Sequence, residues 1–122
     1  MHFKSSVMWQ KAMDWVIEIY GVGRNLPAEE RFGVTSQLQR AAVSVPANIA
    51  EGWTRESRKE KAQFLAIAQG SLAEAETLLL VVRRLRWIDE ERLDRILGTA
   101  DELSRMLTSL RRRFRLPPPG WA

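Results

Sequence analysis

The spacing of apolar residues constrains this chain more than any other feature of its sequence. Within 8–26, 64–85 and 93–114, apolar residues recur at alternating steps of three and four, which places them along one face of an α-helix. A shorter segment, 34–49, has the same spacing, and no segment shows sustained strand-like alternation. The pattern predicts an all-α fold. On the third helix, the predicted core residues are Phe64, Ala68, Ser71, Ala75, Leu78, Val82 and Leu85.

Residues that favour helix ends separate these segments. Pro27, followed by two glutamates, predicts the start of the second helix, because proline suits the first turn and acids complement the N-terminal dipole. Gly52 is predicted to end that helix. Ser57 and Glu60 match a capping box before the third helix, and Asp89 precedes the fourth. The predicted helices are 6–25, 29–52, 57–86 and 89–115.

The short loops between these helices predict their arrangement. Helices joined by short loops pack as antiparallel neighbours, so we expect residues 1–115 to form an up-down-up-down four-helix bundle. Pro46 lies within the second helix, where proline removes a hydrogen bond and clashes with the preceding turn. The apolar pattern continues past it, which favours a kink over a helix end. Residues 116–122 contain three consecutive prolines and are predicted to form an extended C-terminal tail.

The outward face of the second helix carries small apolar residues. Val43, Ala47 and Ala50 point away from the core face at about 100° per residue. A surface helix is normally polar there, so these residues indicate an interface with another subunit. The alternative is that alanine favours any helix.

Polar residues beside the core face of the second helix are predicted to meet polar residues of the third. Gly70 lies in the same part of the third helix, where a glycine is consistent with close backbone approach. Such groups form either a structural network that sets the helix register or a binding site. The residues are Gln37, Arg40, Ser44, Asn48, Glu51, Ser71 and Glu74.

The composition excludes several kinds of chemistry. The chain contains no cysteine and only one histidine, His2, so thiolate metal sites, cysteine nucleophiles and multi-histidine metal centres are excluded. No catalytic residue, metal site or cofactor is predicted. The longest strictly apolar run, 78–82, is far shorter than the roughly 20 residues of a membrane-spanning helix. No signal-peptide pattern is present at the N-terminus, and we expect a cytoplasmic protein.

Basic residues collect at one end of the predicted bundle. The net charge is +4, and 15 of the 19 basic residues are arginines. The end that gathers the N-terminus, the second loop and the C-terminus has ten basic and four acidic residues, a net charge of +6. We call this end the basic pole, and its basic residues are Lys4, Lys11, Arg55, Arg58, Lys59, Lys61, Arg111, Arg112, Arg113 and Arg115.

Two interpretations of the basic pole are open. Arginine binds phosphate through bidentate hydrogen bonds, so the pole is a candidate site for RNA or DNA backbone. The alternative is that basic residues complement the dipoles at helix C-termini. All ten except Lys4 are candidate nucleic-acid-binding residues: Lys11, Arg55, Arg58, Lys59, Lys61, Arg111, Arg112, Arg113 and Arg115.

Several runs of residues resemble the four-helix-bundle proteins encoded in intervening sequences of bacterial 23S rRNA genes. That family includes the accessory variability protein of diversity-generating retroelements. The most specific runs are Pro46-Ala47-Asn48-Ile49-Ala50-Glu51-Gly52 and Gly70-Ser71. The resemblance implies a ring-shaped homopentamer with a basic surface for nucleic acid and no catalytic motif. In the retroelement branch it implies a reverse transcriptase and its template RNA as partners.

These observations together predict a non-enzymatic, oligomeric accessory or scaffold protein that binds nucleic acid through the basic pole. The main alternative is a protein-binding adaptor ring without nucleic-acid affinity. A structural assembly with no ligand of its own is a further alternative.

Overall fold

Four α-helices account for most of the computed structural model, which describes residues 2–116. They are α1 (Val7–Asn25), α2 (Val34–Thr54), α3 (Arg58–Leu85) and α4 (Glu90–Arg115), with short 3-10 turns at Phe3–Ser5 and Ala28–Glu30. No strand occurs among the described residues. The all-α four-helix bundle is therefore confirmed. The predicted tail lies outside the described residues, except for Leu116, whose backbone is extended.

Contacts between helices show how the bundle is arranged. Lys11 of α1 contacts Glu102 of α4, and the Trp15 indole N–H donates to the carbonyl of Ile96 at 3.2 Å. Arg92 of α4 donates to the Asn25 side chain at the end of α1. Residue numbers fall along α4 as they rise along α1, which is the pattern of antiparallel neighbours.

The apolar faces of α1, α2 and α4 are buried as their spacing predicts. The most enclosed large side chains include Trp15, Ile19, Leu38, Ile96 and Leu103. Burying a large apolar side chain stabilises the fold by about 1.5–3 kcal/mol relative to leaving it exposed. The core is therefore the main source of stability in this bundle.

On α3, the predicted core face is only partly correct, because Ala68, Ala75 and Val82 are buried but the other predicted positions are not. The buried side chains of α3 are Leu65, Ala68, Leu72, Ala75, Leu79 and Val82. Of the predicted set, Phe64, Ser71 and Leu78 are half-buried and Leu85 is half-exposed. The physical reason is that α3 is apolar around much of its circumference, so spacing alone does not select a face. Packing against α2 and α4 selects it.

The apolar character of α3 also gives it the length and hydropathy of a membrane-spanning helix. An 18-residue window within it has a mean hydropathy of 1.5, and a third of that window is buried. This is weak support for a membrane span, because core helices of globular proteins have the same composition.

The second helix begins later than predicted. Pro27 leads into a 3-10 turn, Ala28–Glu30, and α2 starts at Val34. Gly33 takes a non-helical conformation (φ −111°, ψ −115°), which interrupts the helical hydrogen bonds between the two. The Glu30 carboxylate accepts the backbone N–H of Val34 at 3.3 Å. Glu30 therefore caps the N-terminus of α2, but it does so from the preceding 3-10 turn.

Gly52 does not end the second helix. The helix continues to Thr54, and Gly52 is buried where α2 meets α3. A Cβ at this position would lie 3.2 Å from the Cβ of Phe64 and 3.4 Å from the carbonyl oxygen of Lys61. Gly52 therefore permits close helix packing. Gly70 does not, because no atom lies within 4 Å of a Cβ added there.

The helix passes through Pro46 without ending. Pro46 is buried, and α2 is helical on both sides of it. The alternative that the helix ends near Val45 is excluded, while the kink stays a prediction.

Candidate nucleic-acid interface

The basic pole contains two kinds of basic residue, which differ in their contacts. Five of the nine predicted nucleic-acid-binding residues form side-chain hydrogen bonds or ion pairs with other groups of the chain. These five are Lys11, Arg55, Arg58, Lys61 and Arg111.

Arg58 and Lys61 bind the C-termini of neighbouring helices. Arg58, at the start of α3, donates to the carbonyl of Arg113 and, at 3.1 Å, to that of Leu116. Its guanidinium also lies 5.5 Å from the Phe114 ring centre. Lys61 donates to the carbonyl of Trp53 at 3.1 Å, at the end of α2. Helix C-termini have unsatisfied carbonyls and partial negative charge, so these two residues stabilise the ends of α4 and α2.

The charges of Arg55 and Lys11 are offset by ion pairs. Arg55 pairs with Glu51 at 2.5 Å, and its guanidinium lies 4.7 Å from the Phe64 ring centre. Lys11 pairs with Glu102 at 2.8 Å, along the side of the bundle. The hydrogen bond from Lys11, together with its charge, lowers the pKa of Glu102. Neither cation is free to neutralise a phosphate without breaking its own pair.

Arg111 takes part in a polar cluster between α3 and α4. Its guanidinium donates to the side-chain amide oxygen (Oε1) of Gln69 at 2.7 Å. The amide nitrogen of Gln69 in turn donates to the hydroxyl of Thr108 at 2.7 Å and contacts Ser104 at 3.3 Å. These contacts set the orientation of Arg111. The sequence analysis does not predict this cluster between α3 and α4.

The four remaining candidates are exposed, and within residues 2–116 their side chains make no ion pair or hydrogen bond. They are Lys59, Arg112, Arg113 and Arg115. Lys59 begins α3 and the three arginines end α4, and the contact of Arg58 with Arg113 brings these two helix ends together. Lys4 is also exposed at this end of the bundle. We call Lys59, Arg112, Arg113 and Arg115 the unpaired cations.

An open apolar cleft of about 430 Å³ lies at the same end of the bundle. Its apolar walls come from three helices: Met8 of α1, Trp53 of α2, and Met106 and Leu110 of α4. Among the described residues, Ser6, Ser109, Arg105 and Arg113 also line it. We call it the apolar cleft. Nothing in the spacing of these residues indicated that they would meet.

The predicted polar network is smaller than expected. The hydroxyls of Ser44 and Ser71 lie 2.8 Å apart, and the Asn48 amide donates to the carbonyl and hydroxyl of Ser44 at 2.8 and 2.9 Å. These three residues link α2 to α3. Glu51 instead pairs with Arg55.

The other three predicted members are not part of this network. They are Gln37, Arg40 and Glu74, whose side chains are exposed and make no hydrogen bond or ion pair within residues 2–116. Gln37 and Arg40 precede Ser44 along α2 by seven and four residues, and Glu74 follows Ser71 along α3 by three. Ser44, Asn48 and Ser71 therefore form a hydrogen-bonded link between α2 and α3, and the choice between a structural network and a binding site stays a prediction.

The outer face of α2 continues onto α1. Val43 is 41% exposed, Ala47 is exposed and Ala50 is half-buried. Tyr20 of α1 lines the same surface groove as Val43. Ile17, three residues before Tyr20, is 64% exposed, and Met13 lies a further turn away. Met13, Ile17 and Tyr20 are spaced by four and three residues, a helical spacing that indicates this second apolar face of α1 but is not used in the sequence analysis.

The described part of the chain contains no candidate metal site. Within residues 2–116, no group of three or more His, Cys, Asp and Glu side chains could hold a metal ion.

Comparison with known families identifies the relatives of this chain. The family model of the 23S rRNA-intervening sequence protein matches residues 4–109, which include α1, α2, α3 and most of α4. The chain belongs to the 23S rRNA-intervening sequence protein family. The resemblance seen in the sequence is therefore confirmed, and no curated protein matches the chain at a significant level.

A solved structure has the same fold as this family member. It is a protein of unknown function from the S23 ribosomal protein family of Bacteroides thetaiotaomicron. The two chains share 27% sequence identity with a TM-score of 0.80, and the match covers 85% of this chain and 97% of the other.

Proposed function

We propose that this protein is a non-enzymatic, self-associating accessory protein that binds the phosphate backbone of RNA or DNA. The observation that carries the proposal is the set of unpaired cations at the adjoining ends of α3 and α4. Arginine and lysine without internal partners can neutralise phosphates and release the counterions condensed on nucleic acid. No base-reading element is required, so we expect weak sequence preference.

The capping contacts support the proposal in a second way. Arg58 and Lys61 stabilise the ends of α4 and α2, so the surface that presents the unpaired cations is held by the fold. The dipole interpretation applies to Arg58 and Lys61, and also to Arg112, Arg113 and Arg115 in the last turn of α4. Lys59 and these three arginines are nevertheless exposed and without an ion pair among the described residues, so a ligand could reach them.

Self-association would repeat the basic pole in one assembly. The apolar outer face formed by Ile17, Tyr20, Val43 and Ala47 favours burial against a second copy. The family resemblance implies five subunits. Several poles on one assembly would raise the affinity for a long polyanion, because each further contact becomes intramolecular.

The salt dependence of binding tests the proposal. Purified protein is titrated against a structured RNA and a duplex DNA at several salt concentrations, with light scattering to measure the oligomer. The test variant changes the four unpaired cations to serine. The control variant has the same charge change at the other end of the bundle: Arg24→Ser, Arg31→Ser, Arg84→Ser and Arg95→Ser.

We expect the test variant to bind more weakly and with a shallower salt slope. On duplex DNA, the slope of log K against log salt should fall by about 0.9 for each lost phosphate contact. The control variant should keep most of the original slope. Equal losses in both variants would mean that net charge alone drives binding. No binding at low salt would contradict the proposal and favour the protein-binding adaptor.

A further inference from the structure

A second cleft lies on the surface of α4, along the C-terminal half of that helix. It has a volume of about 240 Å³, and within residues 2–116 its lining consists of hydroxyl and guanidinium side chains: Ser104, Arg105, Thr108, Ser109 and Arg112. We call it the hydroxyl cleft. We infer that it binds a single phosphate group. The inference rests on the proposed function and deepens it, since the phosphate would belong to the bound nucleic acid.

The orientation of one amide decides what two of these hydroxyls can offer. Arg111 can only donate, so its contact with Oε1 of Gln69 at 2.7 Å identifies that atom as the acceptor of the amide. Nε2 of Gln69 must therefore donate, and it lies 2.7 Å from the hydroxyl oxygen of Thr108 and 3.3 Å from that of Ser104. Both hydroxyl oxygens accept from the same amide, so the hydrogens of both remain available.

The helix itself does not take up the hydroxyl hydrogen of Thr108. A threonine within a helix can donate to the carbonyl four residues before it, as Thr77 does at 2.8 Å. For Thr108 that carbonyl belongs to Ser104, and it already accepts from Gln69 at 3.3 Å. Within residues 2–116, the hydroxyls of Ser104, Thr108 and Ser109 donate no hydrogen bond. All three can therefore donate to a ligand in the hydroxyl cleft.

The charge of the hydroxyl cleft favours an anion. Arg112 is one of the unpaired cations, and Arg105 pairs with Asp101 at 3.0 Å on the flank of the cleft. No acid occurs in the described lining itself. Arginine, serine and threonine are side chains with which proteins commonly contact the phosphates of nucleic acids. A phosphate oxygen can accept from a hydroxyl and a guanidinium at once, which makes this combination of donors suitable for a phosphate group.

The hydroxyls would contribute to affinity in a different way from the unpaired cations. Loss of a cation removes a charge that displaces counterions, so it changes the salt slope of binding. Loss of a hydroxyl removes a hydrogen bond but no charge, so it lowers the affinity and leaves the salt slope unchanged. This difference separates the hydroxyl cleft from the general attraction of the basic pole.

Replacing Thr108 by valine tests the inference, because it removes the hydroxyl without changing the charge. Thr108→Ser, which keeps the hydroxyl, is the conservative variant. The matched control is Thr77→Val, at an exposed threonine of α3 whose hydroxyl bonds to its own helix. Each protein is titrated at several salt concentrations against one structured RNA, prepared with and without a terminal phosphate.

We expect Thr108→Val to bind about three- to tenfold more weakly than the wild-type protein at an unchanged salt slope, which corresponds to the loss of one hydrogen bond to a charged group. Thr108→Ser and Thr77→Val should keep the original affinity. A loss with both RNAs would support the inference and identify a backbone phosphate as the ligand. A loss confined to the RNA with the terminal phosphate would support it and identify that end group.

Several results would overturn the inference. If the wild-type protein binds RNA and Thr108→Val binds it as tightly as Thr77→Val, the hydroxyl cleft takes no part and the proposed function still stands. A shallower salt slope for Thr108→Val would show that the change acts by displacing a cation. An equal loss in Thr108→Ser would show that the hydroxyl is not the group that matters. A wild-type protein that binds neither RNA at low salt would overturn this inference together with the proposed function.

Discussion

Replacing Gly52 by alanine tests the close contact between α2 and α3. The added Cβ would lie 3.2 Å from the Cβ of Phe64 and 3.4 Å from the Lys61 carbonyl oxygen. Neither atom can rotate away without moving α3. Overpacking a core costs about 1–3 kcal/mol, whereas alanine in place of glycine stabilises a helix by roughly 0.5–1 kcal/mol. We therefore expect Gly52→Ala to lower the free energy of unfolding by about 1 kcal/mol.

Gly98→Ala is the matched control. Gly98 lies inside α4, is exposed, and has no atom within 4 Å of an added Cβ. The control should raise the free energy of unfolding by about 0.5–1 kcal/mol. Denaturant unfolding followed by the helical circular dichroism signal measures both variants. All samples need one protein concentration, because subunit association adds to stability. A Gly52→Ala variant as stable as Gly98→Ala would refute the contact between the helices.

Two other perturbations address charge and assembly. Burial, and then the charge of Asp101, raises the pKa of Glu76. The folded state therefore holds this proton more tightly than the unfolded chain, and ionised Glu76 weakens the fold at neutral pH. Glu76→Gln should add up to about 0.5 kcal/mol at pH 7, allowing for screening by solvent. That gain should vanish as the pH falls below the ordinary pKa of 4.5, and an equal gain at both pH values would contradict the reasoning. Val43→Glu should reduce the particle mass seen by light scattering, while Gln37→Glu, also exposed on α2, should not. An unchanged mass for Val43→Glu would remove this face from the interface.

The fold was readable from the sequence because helical spacing and capping residues act over short distances. Ser57 accepts the N–H of Glu60 at 3.0 Å, and Asp89 accepts that of Arg92 at 3.0 Å, as their positions predict. The start of α2 was harder to predict. Pro27 and the glutamates favour a helical turn, but the conformation of Gly33 separates that turn from α2.

The candidate site was readable only in part. Counting charges located the basic pole but could not sort its residues. Arg58 and Arg112 look alike in sequence, yet Arg58 binds the end of α4 and Arg112 has no partner among the described residues. The apolar cleft combines Met8, Trp53 and Met106, which are far apart along the chain.

Local spacing and motifs within single segments are enough to predict the helical class, most helix positions, the core faces of α1, α2 and α4, and the family. Three features are not written in any single segment: the full buried face of α3, the need for glycine at position 52, and which cations of the basic pole are unpaired. Each of these depends on the distance between atoms of different helices, and that distance is set by how the four helices pack together.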